Sequence, residues 1–171
     1  MDVLPAAREA LAAVDNDPDA PTKLVVTGGV GTGKSTVLTA LRASLRAAGR
    51  PVATRPDTSA RAAIVVDDAD LLDDAELDGL ATLVAEPGAT VIVAAQPLAH
   101  RLSLRRLVTA LERENSAVTL APLPPAEIGR VAASVLGTPV GPELVRILHS
   151  ATGGLPFLLS SALSAVADGA A

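Results

Sequence analysis

Gly28-Gly29-Val30-Gly31-Thr32-Gly33-Lys34-Ser35-Thr36 decides the reading of this chain. The stretch fits the pattern G-x-x-x-x-G-K-[ST], with Gly28 first, Gly33-Lys34 at its centre and Ser35 closing it. The apolar run Leu24-Val25-Val26 precedes it and an Ala/Leu-rich helical pattern follows, so the context is strand, loop, helix. That context separates a phosphate-binding loop from a chance match. Glycines let the backbone curl until several N–H groups converge on phosphate oxygens. The positive end of the following helix adds to the attraction. Lys34 is placed to reach the β- and γ-phosphates, and the Ser35 hydroxyl to ligate Mg²⁺. The competing reading is a glycine-rich turn opening an ordinary helix.

Around that loop, 171 residues with 49% hydrophobic content suffice for one compact domain with a small appendage. Aromatics make up only 1%, with Phe157 the single Phe, so the core must be built from Val, Leu, Ile and Ala. A net charge of -5 argues against a nucleic-acid surface. With no Cys there is no disulfide framework and no thiolate metal site. The N-terminus, with Asp2 early and Pro5 breaking it, does not read as a signal peptide. No apolar run approaches membrane-spanning length, and a cytoplasmic location with no membrane partner is the expectation.

In chain order, Pro5 to Val14 reads as a short amphipathic helix, followed by a turn-rich linker to Pro21. Lys23 to Thr27 is a buried strand of the parallel kind, and Lys34 to Ala48 a helix stopped by Gly49. Pro51 to Thr54 reads as a short second strand. Ala62 to Val66 is a third strand that runs directly into Asp67-Asp68. Such a strand delivers carboxylates to the carboxyl edge of a parallel sheet, where open α/β sheets bind ligands. Asp67 is placed to hold Mg²⁺, usually through water, and Asp68 to orient or deprotonate an attacking water. The alternative is an acidic N-cap for the helix near Asp73-Asp74-Ala75-Glu76.

That helix spans Asp74 to Val84, and Thr90 to Ala95 is the next buried strand. Gln96, at its end, can lie beside a γ-phosphate or simply be solvated. Ser103 reads as the cap of a helix running to Glu114, and Ala117 to Leu120 as the last strand. From Pro122 the pattern becomes helical only: Ala126–Leu136, Pro142–Ala151 and Pro156–Val166, with prolines suited to first helical turns. The fold class is therefore α/β, a parallel sheet of about five strands flanked by helices, with a C-terminal helical lid. The domain plan is a helix and linker over 1–21, a core over 22–122 and a lid over 123–171.

Taken together, Gly28–Thr36, Ile64–Asp68, Val91–Pro97, Leu120–Leu123 and Thr152–Pro156 resemble the AAA+/STAND group of P-loop NTPases. Within it, the likeness is to the ATPase domain of LuxR-type large ATP-binding transcriptional regulators. The Gln96-Pro97-Leu98 run is also similar to one in ExeA/TniB-like ATPases. The resemblance implies ATP/ADP and Mg²⁺ as ligands and Gly28, Gly29, Val30, Gly31, Thr32, Gly33, Lys34, Ser35 and Thr36 as the nucleotide loop. It places Pro156 of a Gly-x-Pro-like lid motif against the base or ribose. Arg113 matches an arginine finger, which acts across a subunit interface. Three features depart from the group. The interval Pro51–Ala63 is too short for a helical crossover, the N-terminal Val-Gly-Arg-Glu box is absent, and no sensor or effector domain fits within 171 residues.

The expected function is an ATP-binding regulatory switch read by a fused or partner effector domain, with hydrolysis slow or absent. The alternative is an oligomeric AAA+ or ExeA-like motor or loader, self-associating with nucleotide and using Arg113 in a neighbour's site. A small-molecule kinase would need an arginine-rich lid, where this region offers Arg130 and Arg146. A DNA-binding reading of the last three helices conflicts with the acidic balance. The absence of an Asn-Lys-x-Asp guanine motif leans towards ATP.

Overall fold

Lys23–Gly28 (β1), Val52–Ala53 (β2), Ala63–Val66 (β3), Val91–Ala95 (β4) and Val118–Leu120 (β5) form one sheet, in the order β2-β3-β4-β1-β5. The computed structural model describes residues 7–56, 62–97, 100–115 and 117–169. Every adjacent pair is parallel, and β1 is held between β4 and β5. Seven helices accompany the sheet among the described residues: Arg8–Asn16 (α1), Lys34–Ala47 (α2), Asp74–Val84 (α3), Leu102–Glu114 (α4), Pro125–Leu136 (α5), Pro142–Thr152 (α6) and Pro156–Gly169 (α7). The expected α/β class with about five parallel strands is what the chain forms.

Contacts divide the chain into two compact units, one of residues 3–29 and 34–120 and the other chiefly of residues 30–33 and 121–171. In the first, the sheet is buried on both faces, as parallel sheets are. Side chains alternate across a strand, and the two cores follow that rule. Leu24, Val26, Ala63, Val65, Ile92 and Ala94 pack with α1 and α2. Val25, Ile64, Val66, Val91, Val93 and Ala95 pack with α3 and α4. Aliphatic residues fill both layers, consistent with an aromatic content of 1%.

β2 and β3 pair in parallel with only residues 54–62 between them, shorter than a helical crossover needs. Residues 57–61 of that interval, and Pro5 and Ala6 of the first expected helix, lie outside the described residues. β2 pairs only with Ala63 and Ile64, so the backbone of Val65 extends past it on that side. Arg42 of α2 takes the place of a strand there, its Nη2 donating to the Val65 carbonyl at 3.0 Å.

In the second unit, α5, α6 and α7 pack on one another around Leu123, Ile128, Ala132, Leu148, Leu159 and Leu163. Prolines open all three helices, where the missing N–H costs nothing. The α6–α7 link is tightly built. Gly153 and Gly154 take φ of 59° and 75°. The buried Thr152 hydroxyl donates to Leu148 O and accepts from Gly154 N. Leu123 N donates to Gly154 O at 2.7 Å.

Candidate nucleotide site

Gly28 ends β1 at the carboxyl edge of the sheet, and α2 begins at Lys34. The helix leaving β1 packs on one face of the sheet, and the helix leaving its neighbour β4 packs on the other. The carboxyl ends of two such strands make the crevice where open α/β sheets take ligands. Between strand and helix, Gly31 and Gly33 hold φ of 78° and 94°, a region that only glycine enters without strain. Alternating backbone handedness of this kind turns successive N–H groups into an anion-binding concavity.

Lys34 is 8% exposed, and a buried ammonium must be hydrogen-bonded. Its Nζ donates to the carbonyls of Gly28 at 2.9 Å and Gly29 at 3.1 Å, so the ammonium is held under its own loop. Thr32 is buried, while Val30, Ser35 and Thr36 are exposed. Ser35 stands at the start of α2, where helix N–H groups lack intrahelical partners.

β3 delivers its two carboxylates to the same edge. Val66, the last residue of β3, packs with α3 and α4, and Asp67 follows it at the carboxyl end of the strand. Asp67 is half-buried, and its Oδ1 accepts from Asp68 N at 3.1 Å. Asp68 is exposed, with φ 50° and ψ 53°. It is the one non-glycine residue at positive φ among those described. Holding a side chain there costs about 1–2 kcal/mol, least for Asp or Asn, and such strain collects at functional sites. The N-cap reading of this acidic pair is resolved: Asp73 caps α3, in a reciprocal capping box with Glu76.

Gln96 follows β4 at the same edge and is exposed. Its N–H donates to both carboxylate oxygens of Asp70, at 3.1 and 3.3 Å. Asp70 lies in the 3₁₀ turn Ala69–Leu71 that follows Asp68. Arg101 completes this cluster. Its Nη1 donates to the carbonyls of Asp70 at 3.3 Å and Leu72 at 2.5 Å, and its Nη2 pairs with Asp74 Oδ1 at 2.5 Å. The hydrogen bond from Arg101 chiefly, with one from Ser103, holds the Asp74 carboxyl below its ordinary pKa. Neither Asp70 nor Arg101 stands out in the sequence, because the pattern that marks Asp67-Asp68 ends two residues before Asp70. The Ser103 expectation is corrected here. Arg101 is the N-cap, α4 begins at Leu102, and the cap carries no side-chain bond. The guanidinium fixes Arg101 at extended φ and ψ, and Ser103 is drawn to Asp74 instead.

The structure therefore gathers Lys34, Ser35, Thr36, Asp67, Asp68 and Gln96 at one sheet edge. Arg113 is elsewhere: it is exposed in the last turn of α4. Its neighbour Glu114 pairs with Lys23 at 3.1 Å, at the opposite end of β1 from Gly28. A strand of six residues separates the two ends by about 17 Å. Pro156 opens α7 in the second unit, half-buried. The next residue, Phe157, donates its N–H to Gly31 O at 3.3 Å within that unit.

No family model and no curated protein matches the sequence. Solved structures do match its fold. Domain III of the replication initiation protein DnaA from Thermotoga maritima superposes with a TM-score of 0.65 at 15% identity, over 95% of this chain and 84% of that one. The RuvB Holliday junction branch migration motor from Thermotoga maritima gives 0.61 at 16% identity, over 95% of this chain and 59% of that one. The chain thus spans 59% of the RuvB chain's length, and at these identities the likeness is one of fold. With its five parallel strands and flanking helices, the chain has the α/β fold of AAA+ P-loop NTPase domains.

Proposed function

We propose that this chain binds ATP and ADP with Mg²⁺ at the 28–36 loop and acts as a nucleotide-state switch of slow or no turnover. The observation that carries the reading is the loop itself. Two positive-φ glycines and a buried lysine amine sit between a central parallel strand and a helix N-terminus. In this reading the backbone from Gly28 to Thr36 encloses the phosphates. Lys34 exchanges its two carbonyl partners for β- and γ-phosphate oxygens.

Mg²⁺ is held by few protein ligands, commonly one or two hard oxygens together with substrate phosphates. The Ser35 hydroxyl and the Asp67 carboxylate supply such a pair, and Asp67 Oδ2 is not the atom engaged by the Asp68 amide. Bound there, the ion would neutralise phosphate charge. Asp68 then orients the attacking water and Gln96 meets the γ-phosphate. Residues 123–171 form the lid in this account, with Pro156 against the base or ribose, and a fused or partner effector domain reads the nucleotide state. The chain itself, at net charge -5, makes no direct nucleic-acid contact in this account, and its setting is the cytoplasm.

Titration with ATP, ADP and GTP, with and without Mg²⁺, paired with phosphate release at several protein concentrations, tests the proposal. Binding with little turnover at any concentration is the expected result. The oligomeric motor or loader is the second reading, favoured by the exposed Arg113 at the far end of the sheet, where it could serve only a neighbouring subunit. Turnover that rises with protein concentration and is abolished in Arg113→Ala would select it.

A further inference from the structure

We infer that Asp70 and Arg101 form a positioning brace that lets the site tell a triphosphate from a diphosphate. The inference rests on the nucleotide reading above and assigns a role to two residues that reading does not use. Gln96 follows β4 and Asp68 lies just beyond β3, each on irregular backbone where, in that reading, a γ-phosphate would be met. Ladder hydrogen bonds end at Val66 and Val93 between these strands, so beyond them nothing in the sheet fixes one against the other.

Asp70 supplies that link. Both of its carboxylate oxygens accept from the Gln96 N–H, while its own carbonyl accepts from Arg101. A hydrogen bond to a charged acceptor is roughly twice as strong as a neutral one. Arg101 then ties the same turn to Leu72 and to the first turn of α3 through Asp74. A planar guanidinium with five donors in a fixed fork suits this task, and lysine cannot copy it. The turn holding Asp68 at positive φ and the strand end holding Gln96 are thus one polar unit. Neither Asp70 nor Arg101 is offered as touching nucleotide; they act through Gln96 and Asp68.

The test measures ATP and ADP dissociation constants by calorimetry for the wild type, Asp70→Ala, Asp70→Asn and Arg101→Lys, with thermal melts to confirm folding. The wild type should prefer ATP. In Asp70→Ala the preference should fall about tenfold, the effect of losing one strong hydrogen bond at the γ-phosphate end, with ADP affinity little changed. Asp70→Asn keeps one acceptor for the Gln96 amide and should restore part of the preference, which a merely structural loss would not do. Arg101→Lys should resemble Asp70→Ala and serves if that variant does not fold. An ATP preference unchanged in both Asp70→Ala and Arg101→Lys overturns the brace and leaves the nucleotide reading intact. A wild type that binds both nucleotides equally also overturns the brace. Failure of the wild type to bind either nucleotide overturns both.

Discussion

At Gly154 the chain has no room for a side chain. A Cβ there would lie 2.4 Å from Leu123 O and 3.0 Å from Leu123 N, on a backbone with φ +75°. Gly154→Ala is therefore expected to destabilise the helical unit by about 2 kcal/mol or more, from left-handed strain together with a backbone clash that cannot be relieved by side-chain movement. Gly79 is the opposite case. It lies inside α3, and a Cβ would meet nothing within 4 Å, so Gly79→Ala should stabilise by about 0.5–1 kcal/mol. Urea unfolding of the two variants checks both signs, and equal effects would contradict the packing described. Single residues were legible in the sequence where their neighbours formed a pattern. Gly28, Gly33 and Lys34 mark a loop between a strand and a helix by their spacing and their flanking pattern, and the structure has that strand and that helix. The approach of Gly154 to Leu123 joins positions far apart in the chain and leaves no local trace.

Helix limits were legible where the cap and the apolar period agree. α3 runs Asp74–Val84 as its pattern implies, with Leu77, Leu80 and Val84 buried and Asp73 capping it. α4 departs at its start, where a tertiary contact accompanies the departure: Arg101, held by Asp70, Leu72 and Asp74, takes the N-cap position without a side-chain cap, and Ser103 lies inside the helix. That junction of α3 and α4 should respond to acid. The folded pKa of Asp74 lies below its ordinary 3.8, so pairing stabilises the fold when the carboxylate is charged. The contribution is fully present above about pH 4 and is lost as the pH falls through the depressed folded value. Thermal melts of wild type and Asp74→Asn should differ at pH 6 and converge in acid, once the pH has fallen through the depressed folded pKa. A difference that persists or grows in acid would contradict the ion pair.

The class of the whole molecule was legible, but its strand order was not. Five short aliphatic strands look alike in sequence, and their order β2-β3-β4-β1-β5 rests on pairings between positions far apart in the chain. That order bears on the proposed function, because it brings the carboxyl ends of β1, β3 and β4, followed by the loop, the acidic pair and Gln96, side by side along one edge. Arg113, in the last turn of α4 just before β5, lies at the other end of the sheet, where the parallel strands begin. Every part of the functional account depends on that edge holding a nucleotide through its buried lysine. Calorimetric titration of ATP with Mg²⁺ into the wild type and Lys34→Ala tests this most directly. The account expects saturable binding to the wild type and at least about a hundredfold weaker binding to Lys34→Ala, since the phosphates lose their main cation. Equal ATP affinity in the two proteins would contradict it.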